Sequence, residues 1–184
     1  MARTESNEFN VGKKAPDFNL INTVDDKQYV LNDLKGEKGT LIMFICNHCP
    51  FVIHLNEELV KMANQYQNKG IQFIAISSND VVNYPQDAPP LMKKLAHDLA
   101  YPFPYLYDET QNVAKAYDAA CTPDFYLFDS DLKSVYHGQL DDSRPENGRP
   151  VTGKDIRKAI DNLLQHKPVL ENQKPSIGCG IKWK

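Results

Sequence analysis

Long hydrophobic runs are missing from this 184-residue sequence. The longest unbroken apolar stretch, Leu41 to Cys46, is far too short to cross a bilayer, so no membrane partner is expected. Residues 1–30 also lack an apolar core of signal-peptide length, and a reducing, cytoplasmic location is expected instead of export. Charge of one sign is scarce. With 21 basic and 24 acidic side chains the formal charge is −3, which gives no electrostatic footprint for nucleic acid. There is no repeat, low-complexity tract or composition shift, so residues 1–184 are expected to form a single domain. The apolar share of 41% and charged share of 24% suit a soluble globular chain and exclude wholesale disorder.

Cysteine occurs four times. In a reducing compartment so few thiols point to reactive or metal-binding chemistry and not to a disulfide framework. Two of them sit in one short motif, Cys46-Asn-His-Cys49. No second Cys-x-x-Cys and no histidine pair at zinc-site spacing accompanies it, so neither a metal nor a cofactor is expected.

The elements around the motif read clearly. Thr40 to Ile45 is a continuous apolar run of buried-strand length, and Ile71 to Ile76 is a second. Between them Val52, Leu55, Leu59, Met62, Ala63 and Tyr66 recur at spacings of three and four, the signature of one helix face. A strand–helix–strand unit of this kind closes as a right-handed parallel crossover. Two short strands surround the turn residues Asp25 and Asp26, forming an N-terminal hairpin extension. Helices are expected over Leu91–Leu99, Thr110–Tyr117 and Asp155–Gln165, and a hairpin joins Phe125–Phe128 to Ser134–Gln139. The Pro-rich stretch Tyr101–Tyr105 reads as a separator, and residues 167–184 as an irregular tail. The sum is an α/β fold with a central mixed sheet flanked by helices.

The spacing then suggests chemistry. Asn47 is a favourable N-cap, which would put Pro50 at the third helical position. Both sulfurs would lie near a helix N-terminus, where free amides and the dipole favour thiolate. Cysteines three apart across a first turn can also close a short disulfide. Such a pair offers the nucleophile and the resolver that thiol–disulfide exchange needs.

On these residues the sequence resembles the thioredoxin-fold superfamily, and within it the redoxin branch of AhpC/TSA, peroxiredoxin-like proteins. The resemblance runs through Ala15-Pro-Asp-Phe18, Cys46-Asn-His-Cys-Pro50, Tyr107-Asp-Glu-Thr-Gln-Asn-Val-Ala114 and Cys121-Thr-Pro-Asp-Phe-Tyr-Leu-Phe128. It implies a thioredoxin-like fold and makes Pro123, after Thr122, the candidate cis-proline facing the motif. It also implies a thiol–disulfide oxidoreductase in cell redox homeostasis, with Cys46 attacking and Cys49 resolving. The substrate would be a protein or small-molecule disulfide, and a thiol system would supply electrons.

The alternative within the family is a thiol peroxidase attacking through Cys49-Pro50 or Cys46. There the sequence departs from the pattern, because Cys46 stands where a hydroxyl residue is normally found three positions before the nucleophile. A third reading is a redox-sensing or metal-binding adaptor. His48 holds the position of a histidine in disulfide-forming relatives; a cationic ring there would favour thiolate at Cys46. Four secondary candidates remain. Cys121 is a neighbour of the pair or a small core residue, and Asp124 is a proton acceptor or a solvated strand start. Arg144 is a thiolate support or a surface ion-pair partner, and Cys179 is a resolving thiol in the tail. Trp183 is expected to pack on the domain.

Overall fold

The computed structural model, which describes residues 3–8 and 10–184, is built around a strand buried along its whole length. In chain order the strands are β1 (Arg3–Glu5), β2 (Asn19–Asn22), β3 (Lys27–Val30), β4 (Gly39–Phe44), β5 (Ile71–Ser77), β6 (Tyr105–Tyr107), β7 (Cys121–Thr122), β8 (Asp124–Asp129), β9 (Ser134–Gly138) and β10 (Ile177–Gly180). The helices are α1 (Leu31–Leu34), α2 (Pro50–Gln67), α3 (Pro89–Asp98), α4 (Asn112–Ala116) and α5 (Lys154–Leu164), with a 3-10 turn at Pro85–Asp87.

Seven strands form a mixed sheet in the order β3-β2-β6-β5-β4-β8-β9. The central strand β4 pairs parallel with β5 and antiparallel with β8, so the strand–helix–strand unit is the parallel crossover its apolar runs suggested. Alternation along β4 divides the core. Leu41 and Met43 join the layer that holds Leu55, Leu59 and Met62 of α2 with Ile156 and Ile160 of α5. Ile42 and Phe44 join the opposite layer with Tyr117, Tyr126 and Phe128. Cutting a fully buried residue such as Leu59 to alanine would cost about 2–5 kcal/mol. The N-terminal hairpin, β2 with β3, adds to the sheet edge through β6.

Three expectations change. Helix α2 begins at Pro50, with Cys49 as its N-cap, so Pro50 is a first-turn residue whose fixed φ suits the position. Asn47 does not cap the helix because its side chain is committed elsewhere: its Nδ2 donates to Gln86 O and its Oδ1 accepts from the Tyr105 hydroxyl. The Pro-rich separator runs into a strand, β6, which pairs with β2 and β5. The tail, too, carries regular structure. Its strand β10 lies between β1 and β7 in a second, three-stranded antiparallel sheet, with Cys179 opposite Arg3 on one side and Thr122 on the other.

Candidate functional site

The motif occupies the loop between the C-terminal end of β4 and the start of α2. Ile45 still pairs with β5 through its N–H to Ile76 O, and the chain then turns into the helix. One buried carboxylate shapes the turn. Asp87 accepts the backbone N–H groups of Asn47 (2.8 Å) and His48 (3.3 Å), and the side-chain amide of Asn79 (2.8 Å). Its Oδ2 also lies 2.6 Å from His48 Nδ1, and the His48 ring stacks on Tyr84 at 5.7 Å. His48 is therefore a fixed part of the loop and not a free surface side chain.

Both motif thiols are buried, Cys46 at 1% and Cys49 at 0% exposure. Cys46 Sγ lies 3.4 Å from Thr122 Oγ1, and Cys49 Sγ lies 3.1 Å from Thr122 O. The Thr122–Pro123 peptide that faces them is cis. Cys49 Sγ has one more neighbour, Cys179 Sγ at 2.9 Å.

The two motif thiols are not electrostatically equivalent. A hydrogen bond from the Cys46 thiol holds the Cys49 thiol down, to about 5. Burial opposes this, and hydrogen bonds from Cys179 and the Val52 N–H assist it. Cys46 is pushed well above the ordinary thiol range. The causes are its hydrogen bond to Cys49, then burial, then the nearby Asp87 carboxylate. Cys49 is the residue that caps α2, and its thiolate is favoured there first by the Cys46 hydrogen bond and only after it by the neighbouring first-turn amide of Val52. The expectation of a thiolate at Cys46 changes: its hydrogen bond to Cys49 and its burial, with the Asp87 carboxylate adding to them, favour the protonated thiol.

The remaining candidates fall apart from this centre. Cys121 is buried and its thiol donates to Pro123 O at 3.6 Å, with its ionisation suppressed first by burial and then by Asp124. Asp124 is not a solvated strand start. It is fully buried, 2.9 Å from His137 Nε2, and accepts the Tyr126 hydroxyl at 3.0 Å. Burial raises its carboxyl above the usual range against those hydrogen bonds. Arg144 turns its guanidinium onto Asp141 O and Ser143 O, both at 2.6 Å, and onto Gln139 Oε1. It hydrogen-bonds neutral oxygens, not a surface carboxylate and not a thiol. Trp183 stays 43% exposed, its ring near Lys115 Nζ.

Sequence reasoning missed Asp87 and His137. Asp87 lies in a Pro-flanked turn with no periodic signal. His137 was within reach, since hairpin register puts it opposite Tyr126 and therefore on the face of Asp124. As a metal centre, the site offers one ligand atom each from Cys46, His48 and Asp87 within 4.8 Å. Asp87 already accepts four hydrogen bonds from nitrogen, which commits its lone pairs to the loop.

A profile of the AhpC/TSA family matches residues 11–137. The chain belongs to the AhpC/TSA family. Among members of known structure, an uncharacterized protein from Geobacillus kaustophilus is similar over 100% of this chain and 97% of its own, at 64% identity and a TM-score of 0.98. The thiol-disulfide oxidoreductase ResA of Geobacillus thermodenitrificans is 27% identical over 166 residues, covering 87% of this chain and 82% of its own. The thioredoxin domain of a thiol-disulfide oxidoreductase from Bacteroides vulgatus shares the fold, with a TM-score of 0.66 at 20% identity over 85% of this chain and 99% of its own. This AhpC/TSA chain thus has the thioredoxin-like architecture, and its motif stands at the end of the central strand of that fold.

Proposed function

We infer that this AhpC/TSA protein is a thiol–disulfide oxidoreductase that cycles Cys46 and Cys49 between dithiol and disulfide. The observation that carries the reading is the pair of thiols at the start of α2, both sulfurs against Thr122 of the cis Thr122–Pro123 peptide, with ionisation favoured at Cys49 and opposed at Cys46. The likeness to ResA supports the same class of reaction. Cys49 is the attacking sulfur in this reading, because it carries the charge and faces the edge of β7. Its attack on a substrate disulfide forms a mixed disulfide and expels one thiol. Cys46 then attacks the Cys49 sulfur and releases the second thiol, so two protein thiols are oxidised as one disulfide is reduced. Asp87 and His48 position the loop. The substrate is a protein or small-molecule disulfide, a thiol system restores the pair, and a reducing, cytoplasmic setting suits four free thiols.

A second reading, thiol peroxidase, has one feature in its favour: Cys49 is followed by Pro50, and its thiol is held down to about 5 with Cys46 at the position where a hydroxyl would stand. Against it, the hydrogen bonds of Arg144 go to carbonyl and amide oxygens. Stopped-flow oxidation by hydrogen peroxide, run beside exchange with a small aromatic disulfide, separates the two. Rapid exchange and slow peroxide oxidation are expected. With Cys179 also replaced by serine, Cys46→Ser should trap a mixed disulfide on Cys49, whereas a stable adduct on Cys46 in Cys49→Ser would reverse the roles. Peroxide oxidation far faster than that of an ordinary thiolate would make the protein a peroxidase.

A further inference from the structure

The tail strand β10 lies across the motif as a third polypeptide would. Its Cys179 is buried between β1 and β7, in register with Thr122, whose carbonyl oxygen lies 3.1 Å from the Cys49 sulfur. Beyond Cys179 the tail is fastened to the loops of the site. Ile181 N–H donates to Ala120 O, and Lys182 N–H donates to Asn79 Oδ1, while the amide of the same Asn79 donates to Asp87. Asp80 N–H and the Gln111 amide both donate to Lys182 O. Cys179 is thus held in place by its own strand and by the carboxylate network that shapes the motif.

We propose that Cys179 is a third redox thiol of the site, a second resolver that takes the disulfide from Cys49 and leaves Cys46 free. The proposal rests on the exchange activity inferred above. The 2.9 Å separation of Cys49 and Cys179 sulfurs must close by under about 1 Å to reach a covalent S–S bond. Cys121, the fourth thiol, donates to a backbone carbonyl and has no such neighbour among its hydrogen bonds.

The chemistry balances without a further oxidant. Once Cys49 is joined to a substrate sulfur or to Cys46, the Cys179 sulfur attacks the Cys49 sulfur. The Cys49–Cys179 bond forms as the older S–S bond breaks. The departing sulfur, of the substrate or of Cys46, takes up the proton that Cys179 gives up. Counted from the start, one substrate disulfide has become two thiols and two protein thiols have become one disulfide. An external dithiol reverses it. The product differs from a Cys46–Cys49 disulfide in one respect that matters: β10 is now covalently joined to the cap of α2, and Cys46 is again a thiol.

Disulfide mapping tests this on the intact wild-type protein. After treatment with one equivalent of oxidised glutathione, acid quenching and alkylation, mass spectrometry should find most of the oxidised chain as a peptide pair linking Cys49 to Cys179, with Cys46 alkylated. Cys46→Ser should form the same link and retain no glutathione. A wild-type map holding only the Cys46–Cys49 disulfide, with a lasting glutathione adduct on Cys49 in Cys46→Ser, would overturn the proposal. Oxidation by diamide, which joins neighbouring thiols without any exchange activity, separates this from the reading beneath it. The link formed by diamide but not by glutathione counts against the exchange activity and supports the pairing of Cys49 with Cys179. Exchange with glutathione but no link under either oxidant retires Cys179 alone.

Discussion

Gly178 touches Thr122 more closely than any side chain would allow: a Cβ on Gly178 would stand 2.0 Å from the Thr122 carbonyl oxygen and 3.0 Å from Pro123 Cδ. Glycine is what lets β10 pair closely with β7 and hold Cys179 beside Cys49. Gly178→Ala should therefore lift β10 while sparing the seven-stranded sheet. An overpacking cost of about 1–3 kcal/mol carried by β10 corresponds to about 5–150-fold more frequent opening. The native-state alkylation rate of Cys49 should rise by a factor in that range, with global stability falling by no more than the same about 1–3 kcal/mol. An unaltered rate would mean that β10 does not control access.

The thiol pair should titrate asymmetrically. Because the Cys49 thiol is held down to about 5, its thiolate absorbance should appear near that pH, well below the ordinary value of about 8.5. The depressed folded value sets the sign of its linkage to stability. Its contribution is fully present above about 8.5 and is lost as pH falls through about 5. Cys46→Ala removes the hydrogen bond that lowers it most, so the midpoint should move upward. A single transition at the ordinary thiol value in both proteins would contradict the arrangement.

Asp87 acts on the loop in two separable ways. Asp87→Ala strands the N–H groups of Asn47 and His48, at about 1–3 kcal/mol for each one left buried without a partner, and should weaken folding in urea titrations. Asp87→Asn keeps the shape and removes the charge that helps raise Cys46, so the Cys46 thiol should ionise at lower pH. If both variants leave the thiol titration where it was, Asp87 is structural only.

Asp124, behind the cis peptide, is a matter of stability. It is fully buried against His137 and Tyr126, and removing one member of a buried charged or hydrogen-bonded set costs about 3–5 kcal/mol. Asp124→Ala should lower the unfolding free energy by that amount. A loss below about 1 kcal/mol would show that the set is dispensable.

Much of this was legible in the residues. Apolar runs located β4 and β5, and spacing located α2 to within two residues of its start, because those elements repeat long enough to show a period. β6, β7 and β10 have only three, two and four residues, too few for a pattern, and exist through pairing with distant strands. The motif cysteines were identified from spacing, but which one holds the charge was not. That depends first on the hydrogen bond between the two thiols and on burial, and with them on Asp87, forty residues beyond Asn47 and drawn in by backbone hydrogen bonds that leave no mark in sequence. Cys179 entered as a tail thiol; only the register of β10 with Thr122 brings it to Cys49.

Three residues far from the motif in sequence would have a say in its timing. β1, Arg3 to Glu5, pairs along the outer side of β10, so the strand carrying Cys179 is gripped on both flanks. Each hydrogen bond in that short ladder lengthens the dwell of the closed state without touching any reacting sulfur. Shortening or loosening β1 would tune how often the thiols meet an outside partner, as the tension of a spring sets the opening of a valve whose seat is left unchanged.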